Sequence, residues 1–542
     1  MTVPLHGRGG RRPGWVMDSK KIIKSAGIVS GFTMLSRSLG LVRDVLMADF
    51  FGTSLAASAF FVAFTVPNLF RRLFGEGALS AALVPVLVET REKEGDETAW
   101  AFVNRVLSLT FIVLTAITVA IMLAAALIHP DSPKTAAVLD LLQIMMPYMI
   151  FICLAAVSMG ILNAFHHFAV SAFAPSILNI LWIGTMILMV PNLGNTPEEK
   201  IRYVAWAILF AGFLQWAVQW PVLRHFGWGL HPVSKGSSAV VNQKVKQMLL
   251  LMGPAAIGMA VLQLNVMVDR LLALWVSSEA PAALSYSERL IYFPLGIIAT
   301  ALGTVLLPVF SSHASRHDRE KMRDGVTDGL RHLLFIMIPA AVGLLVLAGP
   351  IVQMIYEHGE FNANSSWMTS IALQCYAPGL VVFSFAKVFV PAFYGLQDTK
   401  TPVKIGMIAV ALNLVLNITF ILTLPQGVKH AGIAFATVLS SSFNMTCLAL
   451  ILQRRIGKPD WKRVGNTAGR ALVAASLMGI VVVGVYGLFP PSTGSGQATL
   501  GKVEQIIAVG VSIGVGGIVY FAAGWLLRLR EISEFLNVFR RS

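Results

Sequence analysis

Long apolar stretches recur along the whole chain, separated by short polar connections. Most exceed the 18 or so residues that cross a hydrocarbon core of roughly 30 Å at 1.5 Å per residue. In order they fall at approximately 23–51, 54–88, 102–128, 136–164, 168–191, 201–224, 242–276, 283–312, 330–352, 366–394, 402–424, 429–453, 466–489 and 504–528. The strands of a membrane barrel would alternate apolar with polar positions, whereas continuous apolar runs satisfy their backbone hydrogen bonds as helices. The pattern predicts an all-α polytopic membrane protein of about 14 transmembrane helices.

Composition agrees: 56% hydrophobic and 13% charged residues leave too little polar surface to cover a soluble globule of this length. The net charge of +15 raises nucleic acid as a partner. The basic residues lie in short connections rather than in one basic domain, which excludes that reading and gives a topology instead. With the N-terminus inside, the cytoplasmic segments hold about 29 lysines and arginines and the opposite side about five, so the positive-inside rule sets both termini in the cytoplasm. Residues 1–16 are Gly- and Arg-rich with no apolar run and are expected to form a disordered tail rather than a signal peptide. Cys153, Cys375 and Cys447 fall inside apolar spans, without the paired spacing of a zinc or redox site.

An internal repeat is visible in ALSAALVPV (78–86) and ALGTVLLPV (301–309), which close the second and eighth spans. Six helices separate the two, and an even number preserves orientation, so two six-helix lobes are expected around an axis along the membrane normal. The resulting division is a tail at 1–19, an N-lobe at 20–224, a C-lobe at 225–453 and two further helices with a cytoplasmic C-terminus at 454–542.

Charge inside the spans is where function shows. Arg37, Arg43, Arg71, Arg72, Arg105, Arg270, Arg289 and Lys387 all fall there, although a central Arg costs roughly 2.5 to 3.5 kcal/mol even on the mildest scale. Such a cluster implies water, protein or an anionic ligand facing the side chains, and guanidinium suits phosphate because its planar fork donates two parallel hydrogen bonds and keeps its proton. In SRSLGLVRD (36–44), Arg37 and Arg43 point about 120° apart and lie roughly 9 Å apart along the helix. The alternative for Arg43 is a pair with Asp44 or an interfacial position. Pro67, Asn68, Arg71, Arg72 and Glu76 predict a broken second span, with one of the two arginines facing inward and the other pairing with Glu76 at i,i+4. Glu288 and Arg289 before Pro294 are a second such intrusion in the opposite lobe.

Asp269, Asn413, Asn417 and Thr437 bring hard oxygens from three spans, a set that suits a small cation. An Asp269–Arg270 pair or ordinary interhelical amide hydrogen bonds are the alternative. No Walker loop, zinc-ligand spacing or nucleophile elbow is present, and no large aqueous segment could hold a catalytic triad.

The segments SRSLGLVRD, AFFVAFTVPNLFRRLFGEGALSAALVPV, YSERLIYFPLGIIATALGTVLLP, AFYGLQDTKTPVKI and HAGIAFATVLS, in this order and spacing, resemble the MurJ (MviN) lipid II flippase family of the multidrug/oligosaccharidyl-lipid/polysaccharide exporter superfamily. The resemblance covers the chain from about Lys20 onward. It implies two six-helix lobes plus two C-terminal helices that form a groove for a polyprenyl tail. It also implies translocation of lipid II, the undecaprenyl-pyrophosphate-linked peptidoglycan precursor, from the cytoplasmic to the periplasmic leaflet by alternating access, without an enzymatic step. Arg37, Arg43, Arg71 and Arg289 would bind the diphosphate, and Asp269, Asn413, Asn417 and Thr437 would form a sodium site, with no other cofactor. Membrane lipids and the peptidoglycan synthesis or division machinery would be further partners, in the inner membrane. An exporter of another lipid-linked oligosaccharide, or of drugs, is the alternative. Asn417 departs from the family, standing where an acidic ligand occurs, and Ser58 and Thr65 replace an Asp and a Lys.

Overall fold

A computed structural model of the chain describes residues 19–75, 78–229, 237–489 and 501–534. The expected N-terminal tail up to residue 18, and Glu76 as a partner for Arg72, lie outside the described residues. Those described are helical throughout, with connections of a few residues and no strand. In chain order the first half contains α1 (Ser19–Phe51), α2 (Leu55–Gly75), α3 (Ala78–Glu94), α4 (Asp96–Leu127), α5 (Pro133–Met145), α6 (Tyr148–Ala164), α7 (Ala169–Leu188), α8 (Pro197–Ala217) and α9 (Trp220–His225). The second half contains α10 (Ser237–Val276), α11 (Ala280–Pro294), α12 (Thr300–Ser315), α13 (Arg319–Val346), α14 (Ala348–Tyr356), α15 (Ala363–Tyr376), α16 (Gly379–Gly395), α17 (Lys400–Thr423) and α18 (Lys429–Ile456). The pair α19 (Trp461–Gly487) and α20 (Lys502–Leu526) follows.

This order accommodates the fourteen spans read from the sequence. Among the described residues nine helices are long and apolar enough to cross a membrane, or eleven when α5–α6 and α15–α16 each count as one bent span. The three remaining spans are α1, α2–α3 and α11–α12, which are the ones that carry Arg37, Arg43, Arg71 and Arg289.

The breaks have chemical causes. Proline lacks the amide proton its helix needs, and the bends of 44° and 46° in the fourth and tenth spans fall at Pro147 and Pro378. After Pro294, α11 passes through one π-turn, Leu295–Ala299, before α12 begins, the local unwinding expected where the hydrogen-bond ladder slips. The bent fourth and tenth spans lie six helices apart, as do the two strings that close the second and eighth, so the repeat extends beyond those two strings.

Within the first lobe α1 packs on α7, α2 on α5 and α6, and α8 on α6 and α7. In the second, α11 packs on α15, α12 and α13 on α16, and α18 on α15, α16 and α17. The pair α19–α20 docks on α13. Helix α10 straddles the boundary: it packs on α2, α3 and α4 as well as on α11, α17 and α18.

Candidate functional site

On the face expected to be periplasmic the lobes meet directly. Glu360 N donates to Asp49 O at 2.8 Å, Tyr286 Oη to Gly52 O at 3.1 Å, and Ala282 N to Ser58 Oγ at 3.3 Å. Thr53 and Ser365 share a hydroxyl hydrogen bond of 2.7 Å. Gly52 (φ 51°) and Gly359 (φ 49°) occupy the left-handed region. A Cβ on either would collide with backbone of the opposite lobe, at Glu360 and Asp49 respectively, so the seam needs glycine twice. Ser58 is thus a buried cross-lobe acceptor and Thr65 bonds its own helix at Phe61 O, so the two do not pair with each other.

Directly inside that seam, α1 presents Arg43 and Asp44, which are 8% and 5% exposed. Arg43 donates to Asp44 Oδ1 through Nε at 3.0 Å and Nη2 at 2.7 Å, and to Asn179 Oδ1 of α7 at 2.9 Å. Its guanidinium lies 4.5 Å from the Trp182 ring centroid, an attractive placement over an aromatic face. The other carboxylate oxygen, Asp44 Oδ2, meets Arg289 Nε of α11. One buried carboxylate therefore joins arginines of both lobes, and the Arg43–Asp44 pair considered from sequence is half of that bridge.

Arg37, two turns earlier on α1, is exposed, and its guanidinium lies against Gly296 in the π-turn of the opposite lobe. A Cβ at position 296 would sit 2.8 Å from Arg37 Nη1 and displace the guanidinium. Arg71 is half-buried, with Nε donating to Asn68 Oδ1 at 2.8 Å. Tyr148, at the start of α6, lies within electrostatic reach of both Arg43 and Arg71. Arg72 turns away and donates to Gln263 Oε1 of α10 at 3.1 Å, as the 100° step between neighbours requires. Arg105 is exposed on α4.

The four oxygen-bearing residues also converge. Asn417 Nδ2 donates to Asp269 Oδ1 at 2.6 Å and to Asn413 Oδ1 at 2.9 Å, and Thr437 Oγ1 donates to Asp269 Oδ2 at 3.4 Å. Asn265, one turn before Asp269, and Ser440 complete the cluster. Asn417 Oδ1 is buried with no hydrogen-bond partner among the described residues. One carboxylate and neutral side-chain oxygens from α10, α17 and α18 thus gather in one place, a set that suits a hard monovalent cation. The Asp269–Arg270 pair is not formed. Arg270 turns instead to Glu288 Oε2 at 2.6 Å and Pro281 O at 3.0 Å, and Tyr376 Oη bonds the other oxygen of Glu288 at 3.1 Å.

On the face expected to be cytoplasmic, Glu89 of α3 accepts from Lys93 at 3.0 Å and from Lys244 of α10 at 3.1 Å. The Lys93 and Lys244 ammonium groups hold its carboxyl down at about 2.

Sequence reasoning missed Asp44 as the shared member and Glu288 as the partner of Arg270, together with Asn179, Trp182, Asn265 and Tyr376. Asp44 carried a usable signal, because an intramembrane carboxylate is as costly as an intramembrane arginine.

The family model described as lipid II flippase MurJ matches residues 47–503. A protein from Rhizobium tropici described as a probable lipid II flippase MurJ is 34% identical over 517 residues, covering 93% of this chain and 94% of the relative. The lipid II flippase MurJ of Burkholderia cenocepacia is 34% identical over 469 residues, with 83% and 88% covered. Among solved structures, lipid II flippase MurJ in an inward closed conformation superposes with a TM-score of 0.74 at 26% identity, covering 92% of this chain and 98% of that one. A multidrug resistance MATE family transporter of the MOP superfamily, inward-facing, gives 0.65 at 14% identity, covering 80% and 98%, which shows the shared fold.

Proposed function

The chain belongs to the MurJ lipid II flippase family, and from that premise we propose that it carries lipid II between leaflets of the bacterial inner membrane by alternating access, as a carrier rather than an enzyme. The observation that carries the mechanism is the bridge from Arg43 through Asp44 to Arg289, in which cations of two lobes already share one anion. A diphosphate offers more acceptor oxygens and more negative charge than a carboxylate, and arginine forks match it. Entering from the open side, the headgroup would draw Arg289 and Arg43 away from Asp44, with Arg37 and Arg71 supplying further positive charge. Loss of the Asp44 contact releases the seam at Gly52 and Gly359, so substrate and closure compete for the same guanidinium groups. The polyprenyl tail stays in lipid along α19 and α20.

The orientation in which this works has both termini and the α12–α13 turn in the cytoplasm. Asp269, Asn413, Asn417 and Thr437 would hold a sodium ion, whose charge would tie α10 to α17 and α18. Depleting the protein and measuring which leaflet retains lipid II tests the function. Accumulation in the cytoplasmic leaflet, reversed by wild type and not by Arg289→Ala at equal abundance, is the expected result. An unchanged distribution on depletion would overturn it.

A further inference from the structure

A second basic site lies away from the lobe interface. A cavity of about 220 Å³ opens where the early part of α13, the start of α19 and the residues after α20 come together, and Arg331, Arg463, Arg470, Arg530, Thr467 and Glu531 line it. We propose that this cavity binds the phosphate of an anionic phospholipid headgroup, a site separate from that of the transported lipid. Four guanidinium groups face one lining carboxylate, but the charges are not equivalent. Glu531 is 2% exposed and is already matched by Arg331 at 2.7 Å and by the Thr467 hydroxyl at 2.9 Å. Arg463 pairs with Asp460 at 2.9 Å. Arg470 donates to the Arg528 carbonyl at 3.0 Å, which orients the guanidinium without neutralising it, and Arg530 is exposed. Neither Arg470 nor Arg530 has a carboxylate within ion-pair distance among the described residues. The cavity thus has a buried floor whose Arg331 is shared among Glu531, Asp328 at 3.0 Å and Glu534 at 3.9 Å, and a rim with two guanidinium groups that no described carboxylate offsets, the donor set that phosphate oxygens match.

Its surroundings select a lipid over a dissolved anion. Trp525 and Leu526, which end α20, are 70% and 72% exposed, and Leu472 and Val473 of α19 are 53% and 51% exposed. Apolar side chains left bare beside a basic pocket, with a Trp among them, mark the interfacial level of a bilayer, where acyl chains can lie on the helices while the headgroup enters. The volume falls below the roughly 300 Å³ at which pockets enclose a drug-sized molecule, which suits a headgroup and leaves no room for a sugar-peptide. Placement in the cytoplasmic leaflet rests on the orientation proposed above, whereas binding itself does not.

The test uses delipidated full-length protein in neutral detergent. Phosphatidylglycerol, phosphatidylcholine or inorganic phosphate is added, and bound lipid is read by native mass spectrometry alongside the thermal midpoint. Wild type should retain phosphatidylglycerol over phosphatidylcholine. Arg470→Gln/Arg530→Gln should weaken phosphatidylglycerol binding about thirtyfold, taking roughly fivefold per basic residue at an anionic surface. Arg316→Gln/Arg319→Gln removes the same charge from the same face, away from the cavity, and should change binding less than threefold. Equal losses in the two double variants would reduce the effect to diffuse surface charge and overturn the site. So would wild type that ignores headgroup charge, or inorganic phosphate that stabilises the protein as well as phosphatidylglycerol does.

Discussion

Asp44→Asn keeps the side-chain shape and removes the charge two arginines share, and the structure separates its two consequences. The Arg43 contact lies within α1 and is buried, with side-chain exposure of 10% for Arg43 and 7% for Asp44. Leaving a buried guanidinium without its counter-charge costs about 3 to 5 kcal/mol. Asn179 and Trp182 still hold Arg43, which favours the lower end, about 3 kcal/mol. That loss follows α1 into every conformation, so it lowers overall stability without choosing between lobe arrangements. The Arg289 contact does choose, because it crosses the lobes. The Arg289 side chain is 50% exposed, so its contribution lies between an exposed and a buried pair, about 2 kcal/mol, or roughly thirtyfold in the closed-to-open ratio. Thr53→Cys, placed in the buried seam in a background without the three native cysteines, reports that ratio through its reaction rate with a membrane-impermeant maleimide. Asp44→Asn and Arg289→Gln should each raise the rate about thirtyfold, and the double variant should rise little further, because both remove one shared contact. Independent, multiplicative effects, or single effects below twofold, would refute the claim that this pair holds the lobes together.

Three further outcomes follow from the same geometry. Arg43→Ala, Arg71→Ala and Arg289→Ala should each cut lipid II translocation by about ten- to a hundredfold, the worth of a hydrogen bond to a charged group, with lysine rescuing only partly. Arg72→Ala should keep most of the rate, and wild-type rates in all three test variants would make the arginines structural. Sodium should raise the thermal midpoint relative to choline, with Asp269→Asn abolishing the response and Asn417→Asp enlarging it. No response in either wild type or Asn417→Asp removes the ion site. The Glu89–Lys244 contact should be insensitive to pH from 7 to 5, because a carboxyl held at about 2 contributes in full above its ordinary value near 4.5 and loses that contribution only as pH falls toward 2. A spin-label distance between α3 and α10 that lengthens already at pH 5.5 would contradict this.

What could be read in advance was what lies along one helix or is forced by the bilayer. The all-helical membrane architecture, the break after Pro294 and the arginines within the spans follow from residue type at local spacing, because lipid penalises charge and proline wherever they fall. The π-turn after Pro294 was not legible: proline marks the place of a break, and packing decides whether the chain kinks or adds a residue to the turn. Arg270 shows a second kind of limit. Its sequence neighbour Asp269 is the obvious partner, yet adjacent residues on a helix point about 100° apart, and the folded chain gives Arg270 to Glu288 and Asp269 to Asn417.

That exchange links the two polar centres. Positions 269 and 270 on α10 and 288 and 289 on α11 form a ladder: Asp269 belongs to the oxygen cluster, Arg270 bonds Glu288, and Arg289 beside it crosses to Asp44. A cation held among α10, α17 and α18 and a diphosphate held at Arg289 would therefore act on neighbouring rungs of one pair of helices, which is what energetic coupling between sites requires. The coupling is reciprocal, so sodium should alter diphosphate affinity by the same factor by which the diphosphate alters sodium affinity. Glu288→Gln removes the charge that joins the rungs while touching neither ligand. Pyrophosphate binding to the purified protein, titrated with and without sodium, should lose its sodium dependence in that variant and keep its sodium-free affinity. A sodium effect of unchanged size in Glu288→Gln would show that the two centres communicate by another route or act alone.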